Sequence, residues 1–313
     1  MGGGPSSEHE ISLRTAEMVA KHLDTRKYAP FLLKIDKIGN WDISIADLKN
    51  SADLAFIAMH GEYGEDGQVQ KLLDAHGIPY TGSGASASAL GMDKLKASQV
   101  FRSHGLRTPE FFFFTAKGYK KSPNKILKEI AESFDLPVVV KPSDRGSSVG
   151  VNIARTNENL AGAIKNAVAV SKNILAEEFV SGTELTCGIL DDGKFNLTPL
   201  LPTEIVPKAG EFFDYTSKYK ESGADEVTPA RIPEEILKEC QNVAFRAHVA
   251  VGCSGFSRTD MIWNKDRGLY VLEINTIPGL TAQSLLPKAA AASGILFPKL
   301  LDRIIESALI KES

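Results

Sequence analysis

Two runs near the C-terminal end, Gly255–Trp263 and Leu269–Asn275, are joined by the turn-forming stretch Asn264-Lys265-Asp266-Arg267-Gly268. They read as a strand pair. Successive side chains of a strand leave opposite faces, so Arg258 and Asp260 share one face, as do Glu273 and Asn275. Antiparallel pairing that sets Asp260 beside Glu273 brings like charges together, which destabilises a sheet unless something relieves it. Two arrangements do so. A divalent cation suits the carboxylate and amide oxygens, as magnesium does while keeping waters and taking further ligands from phosphates. Alternatively, Arg258 neutralises the carboxylates on a solvated face.

A second constraint is the run Lys141-Pro-Ser-Asp-Arg-Gly-Ser-Ser-Val-Gly150, which follows a β-branched strand, Val138–Lys141. Small residues let backbone N–H groups close around an anion, with Lys141 a fixed positive charge at the strand end. No Gly-Lys-Ser/Thr follows, so this is not a Walker-type loop. A serine-glycine hairpin turn is the plainer reading, and Lys94 beside Lys141 strengthens the anion-binding one.

The first third alternates strands and helices. Ala16, Val19, Ala20 and Leu23 keep the spacing of one helix face. Ser7 and Glu10 fit a capping box at its start. Gly2-Gly3-Gly4 either holds an anion at that helix terminus or is a flexible start, and Glu8 complements the helix dipole. A buried strand is expected at Ala55–Met59. It ends at His60, where α/β folds place ligand sites, although a satisfied structural histidine fits equally. Helices are expected around Val69–His76, stopped by Gly77, and over Lys94–Ser103. Phe111–Phe114 reads as a core strand, Val149–Ala154 and Ile174–Val180 as two more, with Ser181-Gly182 a hinge. A hairpin about Asp192-Gly193, a polar tyrosine-rich stretch over 211–224 that suits a lid or an exposed loop, and a helix over Glu234–Val251 complete the chain. Early alternation followed by hairpins indicates α/β plus α+β architecture.

Composition narrows the function. With 43% hydrophobic and 24% charged residues the 313-residue chain can bury a core and is not disordered. A net charge of −3 argues against a general nucleic-acid or anionic-membrane binder. Three cysteines (Cys187, Cys240, Cys253) without CxxC spacing suit neither a disulfide framework nor a zinc site. No apolar run approaches the roughly 18 residues that span a bilayer. Neither is a signal peptide visible, so a cytoplasmic location is expected.

Nine segments, in order, resemble the D-alanine–D-alanine ligase family of the ATP-grasp superfamily. They are residues 2–13, 59–67 (Met-His-Gly-Glu-Tyr-Gly-Glu-Asp-Gly), 80–84, 92–94, 140–143, 146–150, 213–219, 257–260 and 272–281 (Leu-Glu-Ile-Asn-Thr-Ile-Pro-Gly-Leu-Thr). The resemblance implies an ATP-grasp fold of three domains. These are an N-terminal substrate-binding domain with a Rossmann-like parallel sheet (1–91), a central ATP-grasp domain (92–180) and a C-terminal catalytic domain (181–313). It implies ATP-dependent joining of two D-alanines through a D-alanyl phosphate, for peptidoglycan precursor synthesis.

The same resemblance implies the roles of individual residues. Lys94, Lys141, Ser148 and Lys218 meet ATP, Glu177 with the Phe179 and Val180 backbone holds adenine, and Glu184 takes the ribose. Asp260, Glu273 and Asn275 match ligands of two magnesium (or manganese) ions. Arg258 and the Gly279 N–H match oxyanion donors. Glu8, Ser147 and Tyr219 match the set positioning the first D-alanine, and His60, Ser284 and Leu285 match further substrate contacts. A homodimer and potassium stimulation are also implied, with no nucleic-acid or membrane partner.

Two departures from the family pattern stand out. Relatives carry an apolar strand before the glycine run, so this chain is expected either to lack the first strand of its N-terminal sheet or to start upstream of the recorded Met1. Phe213 stands where tyrosine is common. Another carboxylate–amine ligase of the superfamily, or a non-catalytic ATP-binding remnant, are the competing expectations.

Overall fold

A computed structural model of the chain describes residues 1–146, 150–192, 196–208 and 224–310. The protein is built on three sheets, each with its own reason to form.

The N-terminal sheet is small and parallel. Strands β1 (Gly2–Gly3) and β2 (Lys34–Ile35) pair directly. Met1 continues β1 on its other side, its amino group donating to the Phe56 carbonyl at 2.8 Å and its carbonyl accepting from Ala58 N at 3.0 Å. The short strand is made by the glycine run itself, and Met1–Gly3 lies between β2 and the 55–59 segment. That segment is extended and buried, but its regular pairing reduces to one parallel bridge, Ala55 to Tyr80. Helix α1 (His9–His22) follows the glycines. The expected capping box is not made. Instead Ser6 Oγ accepts from Glu8 N at 3.1 Å and donates to the His60 carbonyl at 2.6 Å, tying the helix start to the end of the 55–59 segment. Three further helices, α2 (Ile45–Ser51), α3 (Gln68–His76) and α4 (Ala85–Met92), complete this part. Gly77 ends α3 at φ +60°, as the stop signal predicts.

Helix α5 (Lys94–Ser103) leads into the central sheet, whose antiparallel order is β3–β6–β4–β5. Its strands are β3 (Phe111–Thr115), β4 (Val138–Pro142), β5 (Asn152–Ala154) and β6 (Asn173–Glu178). Helices α6 (Ala116–Lys121), α7 (Pro123–Ser133) and α8 (Asn157–Val170) accompany it. Ile126, Ile130, Ile164, Val138, Val140 and Ile174 form a core confined to this region. The phenylalanine run is only partly core. Phe114 is buried, but Phe113 is 39% exposed because β3 is an edge strand.

The third sheet is antiparallel, in the order β10–β9–β7–β11–β12 with β8 on β7. It comprises β7 (Thr183–Asp191), β8 (Leu197–Pro199), β9 (Thr203–Pro207), β10 (Ala224–Val227), β11 (Phe256–Asn264) and β12 (Gly268–Asn275). Helix α9 (Glu234–Val251) covers it, and α5 joins that core through Ala97 and Phe101. Helices α10 (Leu285–Ala292) and α11 (Phe297–Ile310) pack instead into the core of the N-terminal sheet. The turn at Gly193 lies outside the described residues.

Between the second and third sheets the chain passes Gly182, where a Cβ would stand 2.3 Å from the Trp263 carbonyl oxygen. Only glycine permits so close an approach of the linker to β11. Asn264 Nδ2 donates to the Ser181 carbonyl at 2.8 Å beside it.

The confined central core makes a simple prediction. Ile164 is fully buried there, so Ile164→Ala should destabilise the protein by about 2–5 kcal/mol. Urea unfolding followed by circular dichroism measures it, and a loss below about 1 kcal/mol would contradict the packing described.

Candidate active site

The central sheet presents two faces by alternation. Val138, Val140 and Ala176 enter its core, while Val139, Lys141 and Glu177 face the other way into a cavity of about 1050 Å³. Lys141 Nζ lies 2.7 Å from Glu177 Oε2, with both residues buried. A buried charge left without its partner costs about 3–5 kcal/mol, so each of these two secures the other. Glu184, at the start of β7, faces the same cavity, as does Phe179. Val180 and Ile262 supply an apolar wall.

The third sheet supplies a second set of paired charges. Arg258 stands across from Asn275 and Asp260 from Glu273, the pairing that brings the two carboxylates together, with a bulge following Asp260. Arg258 and Lys94 relieve the paired carboxylates. Arg258 donates through Nε and a terminal nitrogen to the two Asp260 oxygens, each at 2.8 Å. Lys94 Nζ sits 2.9 Å from Glu273 Oε2 and donates to the Arg145 carbonyl at 2.8 Å. Asn275 Nδ2 is 3.3 Å from Asp260 Oδ2, and Thr186 Oγ1 donates to Asp260 Oδ1 at 2.7 Å. Burial opposes the Arg258 charge, but Asp260, then Glu273 and Glu65, raise its pKa.

The patch also suits a hard cation. Two carboxylates and one amide oxygen are the donor types magnesium takes when water and phosphate complete its shell. Among the described residues no group of three or more His, Cys, Asp or Glu could hold a metal alone. A cation at this patch would take its remaining ligands from phosphate oxygens or waters.

The N-terminal region closes the cavity with Glu8, His60 and Glu65. Glu8 is buried, and a Cβ at Gly61 would stand 3.0 Å from its Oε2. His60 is buried with Nε2 3.0 Å from Thr15 Oγ1 and Nδ1 3.1 Å from the Ile277 carbonyl. Burial lowers its pKa, and in the neutral ring Nδ1–H donates to Ile277 while Nε2 accepts from Thr15. His60 thus lines the wall with both nitrogens engaged by protein. It ties α1 to the loop after β12.

That loop carries Gly279 and Ser284, and Leu285 opens α10; all three line the cavity. Ser284 Oγ accepts from Thr281 N at 3.0 Å, and a Cβ at Gly279 would stand 2.6 Å from it. Every described residue expected at the site therefore borders one cavity. Ser147, Ser148, Lys218 and Tyr219, with Phe213 and all of the polar stretch over 211–224 except Ala224, lie outside the described residues.

Thr186 and Glu65 were not singled out from sequence. Thr186 becomes visible only once β7 is known to pair with β11, opposite Asp260. Glu65 lies within the 59–67 segment, and its burial beside Glu8 is not encoded in that local pattern. Burial, then the nearby Glu8 charge, pushes its pKa up to about 8, against a hydrogen bond from Gly61 N at 2.7 Å.

Two antiparallel sheets facing each other across a cavity whose walls both carry ion-paired cations and carboxylates define an ATP-grasp enzyme. Residues 1–50 and 42–83 match the family described as D-ala D-ala ligase N-terminus, and residues 100–306 match D-ala D-ala ligase C-terminus. A D-alanine–D-alanine ligase of Geotalea uraniireducens is 42% identical over 99% of this chain and 95% of its own. One from Syntrophobacter fumaroxidans is 41% identical over 99% and 96%. Among solved structures, the Bacillus anthracis D-alanine–D-alanine ligase complexed with ATP superposes with a TM-score of 0.80 at 33% identity, covering 99% and 97%. The VanG D-Ala:D-Ser ligase of Enterococcus faecalis gives 0.85 at 30%, covering 98% and 97%. The chain belongs to the D-alanine–D-alanine ligase family.

Glu65 yields a pH test. Its folded pKa of about 8 exceeds the ordinary 4.5, so across that window the folded state holds a proton that the unfolded state has released. Its contribution to stability then falls as pH rises from about 4.5 to about 8. Glu65→Gln removes that slope. Thermal melts of both proteins across the window should show wild type losing stability relative to the variant, and a relative gain would contradict the raised pKa.

Proposed function

We propose that this protein joins two D-alanine molecules in two steps at the cavity between the sheets. The terminal phosphoryl group of ATP passes to the carboxylate of the first D-alanine, giving an acyl phosphate and ADP. The amine of the second D-alanine attacks that carbonyl, loses a proton, and expels phosphate as the peptide bond forms. The observation that carries this reading is the convergence of Asp260, Glu273 and Asn275 with Arg258 and Lys94 at one end of a cavity also lined by the Lys141–Glu177 pair.

Each residue has a physical task in this scheme. Lys94 and Lys141 offset phosphate charge, and in doing so exchange carboxylate partners for phosphate oxygens. Glu177 and the Phe179 and Val180 backbone receive adenine, with Glu184 at the ribose. Asp260, Glu273 and Asn275 would hold magnesium or manganese, which when bound neutralises developing phosphoryl charge. Arg258 and the Gly279 N–H donate to the oxyanion of the tetrahedral intermediate. Glu8 receives the first D-alanine, while His60 shapes the wall and Ser284 and Leu285 receive the second. Division into domains at 92 and 181, a homodimer, potassium stimulation and a cytoplasmic location belong to the same proposal. The confined core of the central sheet supports the first of these, and the last is compatible with the absence, among the described residues, of any helix able to cross a membrane.

D-alanine-dependent phosphate release in the presence of ATP and magnesium tests the reading, with D-serine offered as a competing acceptor because the Enterococcus faecalis relative is named for it. Removal of one oxyanion donor commonly costs about 100–1,000-fold in turnover. Arg258→Ala should therefore lose ligation by about that factor while retaining ATP binding by calorimetry. Near-normal turnover would refute the role given to Arg258, and release dependent on a different amino acid would replace the substrate.

A further inference from the structure

Ser284 immediately precedes α10, and Lys288 lies four residues further on, one turn along the same face. Lys288 Nζ donates to Glu226 Oε2 at 2.8 Å and to Gln283 Oε1 at 3.1 Å, and all three residues border the cavity. The lysine side chain keeps 38% of its exposure and the glutamate 20%, so the pair is open to solvent on the cavity side. An exposed pair of this kind contributes little to stability. Its ammonium can therefore change partners at small cost.

The first turn of α10 already favours a negative group, because its unpaired N–H groups and helix dipole carry partial positive charge. A full positive charge one turn beyond adds long-range attraction on the same face. Glu226 holds that charge at the wall from β10, and Gln283 holds it from the loop before the helix. No role in the scheme above uses Lys288, yet an acceptor amino acid seated at Ser284 and Leu285 brings a carboxylate to this end of the cavity.

We propose that Lys288 is a specificity-determining residue for the acceptor amino acid, its ammonium exchanging Glu226 for the acceptor's carboxylate. This rests on the ligase reading above. A role confined to tethering β10 to α10 would disturb folding or all kinetic constants alike, whereas charge recognition acts on one substrate. Removing Glu226 should have the opposite effect from removing Lys288, because the carboxylate competes for the same ammonium.

Initial rates of phosphate release over a range of D-alanine concentrations resolve the donor and acceptor KM values. In Lys288→Met the acceptor KM should rise about tenfold, as expected for one lost hydrogen bond to a charged group, with kcat and donor KM within about twofold of wild type. Lys288→Arg, which keeps the charge, should restore most of the acceptor KM. Glu226→Gln should lower it. An unchanged acceptor KM in Lys288→Met, or equal losses in every constant that Lys288→Arg does not repair, would overturn the proposal. If Lys288→Met fails to fold, Glu226→Gln decides: a lowered acceptor KM supports the exchange and an unchanged or raised one refutes it. Wild-type enzyme assayed alongside separates the two readings. No D-alanine dependence in wild type removes the ligase reading itself, whereas an active wild type with an unaffected Lys288→Met removes only the role of Lys288.

Discussion

Asp260 and Glu273 face one another across two adjacent antiparallel strands, and much of the cavity is arranged around that unfavourable pairing. Like charges at opposed positions cost a sheet stability unless cations or donors intervene. Here Arg258 engages both oxygens of Asp260, and Lys94 reaches Glu273 from the start of α5. Thr186 adds a neutral donor from the neighbouring strand. Such compensation draws in elements far apart in the chain, so the charge problem of one hairpin also positions the helix joining the N-terminal region to the central sheet.

The opposing wall obeys the same logic with less exposure. Lys141 and Glu177 come from adjacent strands of the central sheet and are diagonal neighbours on its cavity face, where they are buried together. Both walls therefore carry charges held by internal partners that an anionic ligand could displace. Gly182 fixes how closely the linker between the sheets approaches β11, since any side chain there would strike the Trp263 carbonyl. At the N-terminal end, His60 spends both ring nitrogens on Thr15 and Ile277, tying α1 to the loop that carries Gly279 and Ser284.

Local patterning made several elements legible in advance. The period-two alternation of β11 and β12 gave their shared faces, and the helix signals over Lys94–Ser103 and Glu234–Val251 matched the observed spans. Where reading failed, a tertiary partner had altered a local preference. Ser7 and Glu10 satisfy the spacing of a capping box, yet Ser6 takes over because it can bond both the Glu8 N–H and the His60 carbonyl. Four consecutive phenylalanines suggest a core strand, but β3 lies at a sheet edge and leaves Phe113 exposed. The Ala55–Met59 segment has strand composition, but among the described residues its regular pairing reduces to one parallel bridge.

The amino-acid order settled which groups share a face, because strand and helix periodicity is a property of the backbone alone. It also carried the family motifs, whose order along the chain survives without coordinates. Which faces meet was a matter for the tertiary structure. Lys94 opposite Glu273, Thr186 beside Asp260, and Glu65 sunk beside Glu8 with its carboxyl pushed toward neutrality all depend on contacts between segments distant in sequence. Electrostatic environment follows distance and burial in space, and neither can be counted along a chain.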